Sequence, residues 1–223
     1  MPARDVLEAL YAWTPFLAGG FGWNLAVSLV AMAIGTTLGA VLAVLRRSNR
    51  RLVARASLLV TGLTRNVPTF VFLFYLAFLI PVEIQFGDSA WVFPAWIKAA
   101  LALAIAVVGF VSDNLADALS HWRARNPAAA LMFLPNWTSY FVVIVMASST
   151  ASVIGVGELV SRCNTVIGAV GRPELMLWVY LYAMLWFFAF CCPLQWLMRQ
   201  VRAVIARNLA QRDPLPEAAT AAP

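Results

Sequence analysis

Charge is scarce in this sequence, and that scarcity excludes most of what a chain of 223 residues can be. Charged residues make up 12% and hydrophobic residues 62%, which leaves too little charge to cover a water-soluble domain of this size. With a mean hydropathy of +0.81, the chain reads as an integral membrane protein. Histidine occurs once, at His121, in a basic loop where a solvated or headgroup-level side chain is expected. Cys163, Cys191 and Cys192 lack metal-ligand spacing, so apolar packing is their expected role. The sequence holds no nucleotide-binding P-loop, no GxSxG nucleophile turn and no HExxH zinc motif. No catalytic residue and no metal ligand is therefore assigned, and an intramembrane enzyme is disfavoured. The net charge of +6 lies in arginines beside apolar runs, the distribution of membrane flanks and not of a nucleic-acid surface. No small-residue cleavage site follows the first apolar run, so that run is expected to direct insertion itself.

What is present is a series of long apolar runs without period-two alternation, which favours helices over a barrel. The spacing predicts five spans. Residues 1 to 20 read as a short amphipathic or irregular approach, and the first span runs from Gly22 to Leu45. It carries Gly35 and Gly39, a small-xxx-small pair suited to close helix packing. The second span, Leu58 to Val82, is interrupted by Arg65-Asn66-Val67-Pro68, which predicts a broken or kinked helix. The loop Glu83 to Ser89, with Glu83 and Asp88, is expected on the outer side. The third span covers Phe93 to Leu119, with Lys98 expected to snorkel outward. Asp113 and Asp117 near its end share one helical face. Either both are solvated near the inner surface, or Asp113 pairs with an arginine inside the bundle.

The fourth apolar region is expected to break at Leu134-Pro135-Asn136 and then run to Leu159 as LPNWTSYFVVIVMASSTASVIGVGEL. Ser148, Ser149, Thr150 and Ser152 lie where a plain membrane anchor has no use for hydroxyls, so close packing or a polar path is expected there. Gly155 and Gly157 should loosen or end that helix, and Glu158 is placed to pair with Arg162 if the segment is helical. Gly168 to Gly171 reads as a turn, Arg172-Pro173-Glu174 as a helix start, and Leu175 to Met198 as the fifth span. The arginine clusters at 46–55, 123–125 and 199–212 predict an outside N-terminus and a cytoplasmic C-terminus. The fold class expected is an all-α integral membrane bundle, one transmembrane domain over 1–212 with a disordered Pro/Ala-rich tail at 213–223. Five spans are too few to enclose a solute path alone, so the chain reads as a subunit whose energy source lies elsewhere.

Three blocks carry a family resemblance. Gly20 to Ser48, GFGWNLAVSLVAMAIGTTLGAVLAVLRRS, is similar to a first span that begins Thr-Leu-x-Leu-Ser-Leu, with Asn24 in place of the Thr. Arg65-Asn66-Val67-Pro68 is similar to Arg-Gly-Thr-Pro. Leu134-Pro135-Asn136, Ser148-Ser149 and Ser152 to Leu159 align without gaps to Leu-Pro-Pro … Thr-Ser-Leu-x-Ser-Val-Ile-Gly-x-x-Glu-Leu. The chain resembles the permease subunits of bacterial ABC importers for polar amino acids, of the histidine/glutamine/glutamate type. The resemblance implies a type I importer-like bundle in the bacterial inner (cytoplasmic) membrane, multi-pass and working in amino-acid import. Its partners would be a second permease subunit in a heterodimer, ATP-binding subunits that hold the ATP, a periplasmic solute-binding protein and the lipid bilayer, with no nucleic acid and no cofactor in this chain.

By the same resemblance, Arg65, Asn66, Ser148, Ser149 and Ser152 are expected along the substrate path. Gly35, Gly39 and Gly155 are expected in helix packing, with Gly35, Gly39 and the Ser148–Ser152 face turned to the second permease. Asp117, His121, Arg123, Arg125 and Asn126 are expected in a loop facing the ATPase. The family's Glu-Ala-Ala coupling loop is shortened here, and Asn126 to Ala130, expected as its remnant, lacks acid and glycine. The family's Lys-Asp pair is replaced by Met146-Ala147, and a frequent Gln by Phe72. These losses leave a second reading, a non-transporting scaffold or regulatory membrane partner.

Overall fold

The computed structural model describes residues 3–86 and 89–212. The expected tail at 213–223 and Asp88 of the outer loop lie outside the described residues. The helices are α1 (Ala3–Leu45), α2 (Arg51–Asn66), α3 (Thr69–Leu79), α4 (Ala95–Arg123), α5 (Pro127–Leu131), α6 (Phe133–Ala147), α7 (Leu159–Val170) and α8 (Leu175–Arg212). A 3-10 segment, Ser148–Ile154, continues α6. Four helices are long and apolar enough to cross a membrane, or five if the bent α2–α3 pair is one span. The expectation of a multi-pass helical membrane protein is met. Between α3 and α4 lies one small antiparallel hairpin, β1 (Glu83–Phe86) with β2 (Ser89–Val92), paired from Glu83↔Val92 to Phe86↔Ser89.

The first helix departs from expectation. Residues 3 to 20 are not an irregular approach but the opening turns of α1, which passes through Pro15 without stopping. The turns that follow the proline pack against α7 and α8. Leu17 and Phe21 bury themselves among Leu159, Cys163, Val166, Leu175 and Val179. Phe21 also meets Phe187 and Phe190 edge-on at 5.5 and 5.7 Å, a favoured aromatic geometry.

At the centre stands α4. Of its most apolar stretch 67% is buried, against 39% or less for the other long helices. Its run of Ala, Val and Gly keeps its flanks slim, which matters because lipid supplies no hydrophobic drive between helices and close contact must do the work. Gly35 of α1 lies against Val107 and the Ala104 carbonyl, and Gly39 against Val111 and the Val108 carbonyl. The packing pair thus serves the α1–α4 seam within this chain. It is not turned to a second subunit as expected, because α4 already fills the groove the two glycines open.

Other local expectations are revised by the backbone. The break after the basic loop falls at Met132, and Pro135 sits in the first turn of α6, where its missing N–H leaves no bond unmade. Lys98 does not snorkel to solvent: it is 4% exposed, and its Nζ donates to the Ile80 carbonyl at 2.6 Å, closing the C-terminal end of α3. Arg172-Pro173-Glu174 forms the turn just before α8 and does not belong to it. Glu158 and Arg162 do not pair. Glu158 caps α7 by accepting from Val160 and Ser161 N–H, while Arg162 donates to the Gly157 and Phe16 carbonyls.

A methyl group at Gly35 would lie 2.4 Å from Val107 Cβ, whereas one at Gly62 of α2 meets nothing within 4 Å. Gly35→Ala is expected to lower stability by about 1–3 kcal/mol through overpacking. Gly62→Ala should be neutral or raise it by up to about 1 kcal/mol. Thermal unfolding of the two variants in detergent checks the contrast.

Candidate functional site

The α2–α3 elbow shapes the site. Val67 is held extended by the proline that follows it, so α2 must end at Asn66, and α3 restarts at Thr69. The two axes meet at 98°. This is the broken helix the Arg-Asn-Val-Pro run predicts, sharper than a kink. Gly109 of α4 makes room for the elbow, since a Cβ there would strike Thr64 and Arg65. Ser57 Oγ donates to the Leu42 carbonyl at 2.7 Å, and Thr61 shares a hydroxyl bond with Ser112 at 2.8 Å, fastening α2 to α1 and α4.

One carboxylate locks the corner. Asp113 Oδ1 accepts from Arg46 Nη2 at 2.6 Å, and Asp113 Oδ2 pairs with Arg65. Of the two readings left open for Asp113, the partnered one holds, with two arginines and not one. Arg46 follows the end of α1, Arg65 closes α2, and Asp113 belongs to α4, so three elements meet on a single charge-assisted node. Arg46 is largely buried and also reaches Ser112 Oγ at 3.3 Å.

Beside this node opens a cavity of ≈ 870 Å³ between the elbow, α4 and α6. Arg65, Asn66, Asp113, Asn114, Asp117 and Tyr140 present their side chains to it. Tyr140 stacks flat on Phe110 at 3.9 Å, and its hydroxyl donates to the Ala106 carbonyl, giving the cavity one aromatic wall. Asn114 is held by bonds to the Phe110 carbonyl and Asn136.

The sequence-proposed residues divide between several places. Arg65 and Asn66 line the cavity; Ser148, Ser149 and Ser152 do not. Each of those hydroxyls bonds the carbonyl three residues back: Ser148 to Val145, Ser149 to Met146, Ser152 to Ser149, and Thr150 does the same to Ala147. The cluster thereby accompanies the tightening of α6 into 3-10 geometry. Gly155 ends that segment at φ +88°, with open space where a Cβ would stand, so its place is the turn and not a packing seam. Asp117 lines the cavity, while His121, Arg123 and Arg125 are exposed near the end of α4. Asn126 Oδ1 accepts from Ala129 N at 3.1 Å and caps the five-residue α5.

A second polar node was missed by sequence reasoning. Asn24, fully buried in α1, donates to Ser148 Oγ at 2.9 Å and Glu158 Oε2 at 3.0 Å, and accepts from Leu159 N at 3.1 Å. Burial pushes the Glu158 carboxyl above its usual range, and the bonds from Ser161, Asn24 and Val160 offset this in part. An amide in the middle of an apolar span is itself the signal that a polar partner must exist. The departure Asn24-for-Thr therefore has a structural reason: an amide that joins the start of the 3-10 segment at Ser148 to the start of α7 at Glu158 and Leu159.

No family model matches the chain. A probable amino-acid ABC transporter permease protein of Bacillus subtilis, YckA, is 27% identical over 191 residues, covering 79% of this chain and 83% of the relative. The crystal structure of an amino acid ABC transporter with histidines superposes with a TM-score of 0.68 at 19% identity, over 86% of this chain and 97% of the other. The fold is that of an ABC-importer permease. An inward-facing structure of the MetNI methionine ABC transporter also matches this permease fold, with a TM-score of 0.57 at 14% identity, over 85% and 95% of the two chains. The resemblance drawn from the three sequence blocks is thus supported by an independent relative and by the fold.

Removing the Asp113 carboxylate leaves Arg46 largely buried and unpaired. Asp113→Ala is expected to approach the loss of about 3–5 kcal/mol typical of a broken buried pair. Asn24→Leu should cost about 1–3 kcal/mol by stranding the Leu159 N–H and one Glu158 bond. The two losses should add, because the nodes share no partner. Unfolding of the single and double variants in detergent measures this.

Proposed function

We propose that the chain is one transmembrane subunit of an ATP-driven amino-acid import system in a bacterial inner membrane. It forms the solute path with a second permease subunit and couples to separate ATPase subunits, with a periplasmic solute-binding protein delivering the cargo. The observation that carries this reading is the polar cavity at the α2–α3 elbow of a permease fold, walled by charged side chains. A helical subunit with such a half-open chamber and no nucleotide motif of its own needs a partner to close the path and another to supply energy. The N-terminus lies outside and the C-terminus in the cytoplasm, because Arg46 to Arg55, Arg123, Arg125 and Arg199 to Arg207 collect at one end of the spans. A reporter fused after Arg207 is expected to be protected from an external protease and cleaved only after lysis.

The connection from α4 to α6 is where ATPase contact belongs. Only α5 and its cap at Asn126 occupy it, flanked by exposed Arg123 and Arg125. That shortness favours a heterodimer whose other permease carries most of the coupling, and it also motivates the second reading, a scaffold without transport. Affinity purification from the native membrane separates the two. An import subunit brings down an ATPase and a longer permease, with hydrolysis stimulated by solute; a scaffold forms a stable complex lacking any ATPase. Arg123→Glu with Arg125→Glu is expected to lower ATPase co-purification at least tenfold while the yield of the subunit itself is kept. Unchanged recruitment would sink the contact.

A further inference from the structure

The charges around the elbow cavity balance. Arg46 and Arg65 carry two positive charges, and Asp113 and Asp117 two negative ones. Three of the four face the cavity directly, and Arg46 neutralises Asp113 from behind. Arg65 is 57% exposed and spends one guanidinium nitrogen on Asp113, so further donors of its planar fork face the opening. Asp117 stands one turn along α4 from Asp113, on the same face. Among the described residues its carboxylate has no hydrogen bond or ion pair. The cavity therefore offers one available cation and one available anion at separate places, with the Tyr140–Phe110 stack as an apolar wall between α4 and α6.

We infer that this cavity is a solute site selective for zwitterions of zero net charge, with the solute carboxylate on Arg65 and its ammonium group on Asp117. The inference rests on the reading of the chain as a transport subunit and adds the charge class of the solute and the residues that select it. An uncompensated charge taken out of water is costly, so a site that is itself neutral favours a solute that is neutral overall and dipolar. A guanidinium can take a carboxylate through two parallel bonds, which fixes the orientation of that end. The ≈ 870 Å³ volume lies within the range of about 300–1,000 Å³ common to small-molecule sites. Asn66, exposed at the rim, and Asn114, anchored on α4, supply neutral polar contacts for the remainder of the solute.

The test is equilibrium binding to the full chain in nanodiscs, together with whatever subunits co-purify, using L-glutamine, L-glutamate and L-arginine as probes. The native chain is expected to bind glutamine at least tenfold more tightly than either charged probe. Asp117→Asn leaves the site with one excess positive charge and should shift preference toward glutamate at least tenfold. Arg65→Gln does the opposite and should shift it toward arginine. Asp117 is exposed and unpartnered, so its variant tests the idea even if Arg65→Gln perturbs folding. A native preference for a charged probe, no binding of any probe, or a preference order that Asp117→Asn leaves unmoved overturns the inference. Import of labelled glutamine by cells with and without this chain is measured separately. Import that needs the chain, with no shift in the variant, sinks the charge selection alone. A shift in binding without any import sinks the transport reading alone.

Discussion

Gly35 and Gly39 let the backbone of α1 approach α4 until each lies against a valine and a backbone carbonyl of α4, and the bundle is arranged around that contact. In lipid an apolar side chain gains little by leaving its surroundings, so helices associate where their shapes allow dense packing and their polar groups find partners. The slim face of α4 between Ala99 and Val111 provides the first condition. Once α1 is seated, Arg46 at its end lies beside Asp113, and the ion pair becomes a consequence of the seam.

The same placement positions the elbow. A helix that turns through 98° at Pro68 exposes backbone and ends, and these must be covered. Gly109 admits the corner, Arg65 ties it to Asp113, and Thr61 ties the preceding turn to Ser112. The cavity is the space left by the bend itself. Its lining is polar because the residues that hold the bend are polar. The side chains that support the bend thus also line the open space, with Asp113 mainly supporting and Arg65 and Asp117 facing the opening.

Midway along α1, Asn24 performs a comparable task for the 3-10 turn and the start of α7. The hydroxyl cluster from Ser148 to Ser152 is better understood from this side. Each hydroxyl is committed to its own helix, and Ser148 in addition accepts from Asn24. The segment that looks most like a polar path in sequence is a tightened, internally bonded connector, and the open polar space lies elsewhere.

The division between what was legible and what was not follows from the range of the physics. Hydropathy, a count of four or five apolar spans, the break before Pro68, the stop at Gly155 and the arginine flanks depend on residues within a few positions of each other, and the sequence alone determined them. The bend at Arg65-Asn66 was legible because Val67, extended before Pro68, cannot continue the helix. The pairings of Asp113 with Arg46, of Asn24 with Glu158 and of Lys98 with Ile80 join residues far apart in the chain. They depend on how far each helix is rotated about its axis and where it crosses its neighbour. No local pattern encodes either quantity, so only the tertiary structure decided which of the few polar groups in this apolar chain would meet.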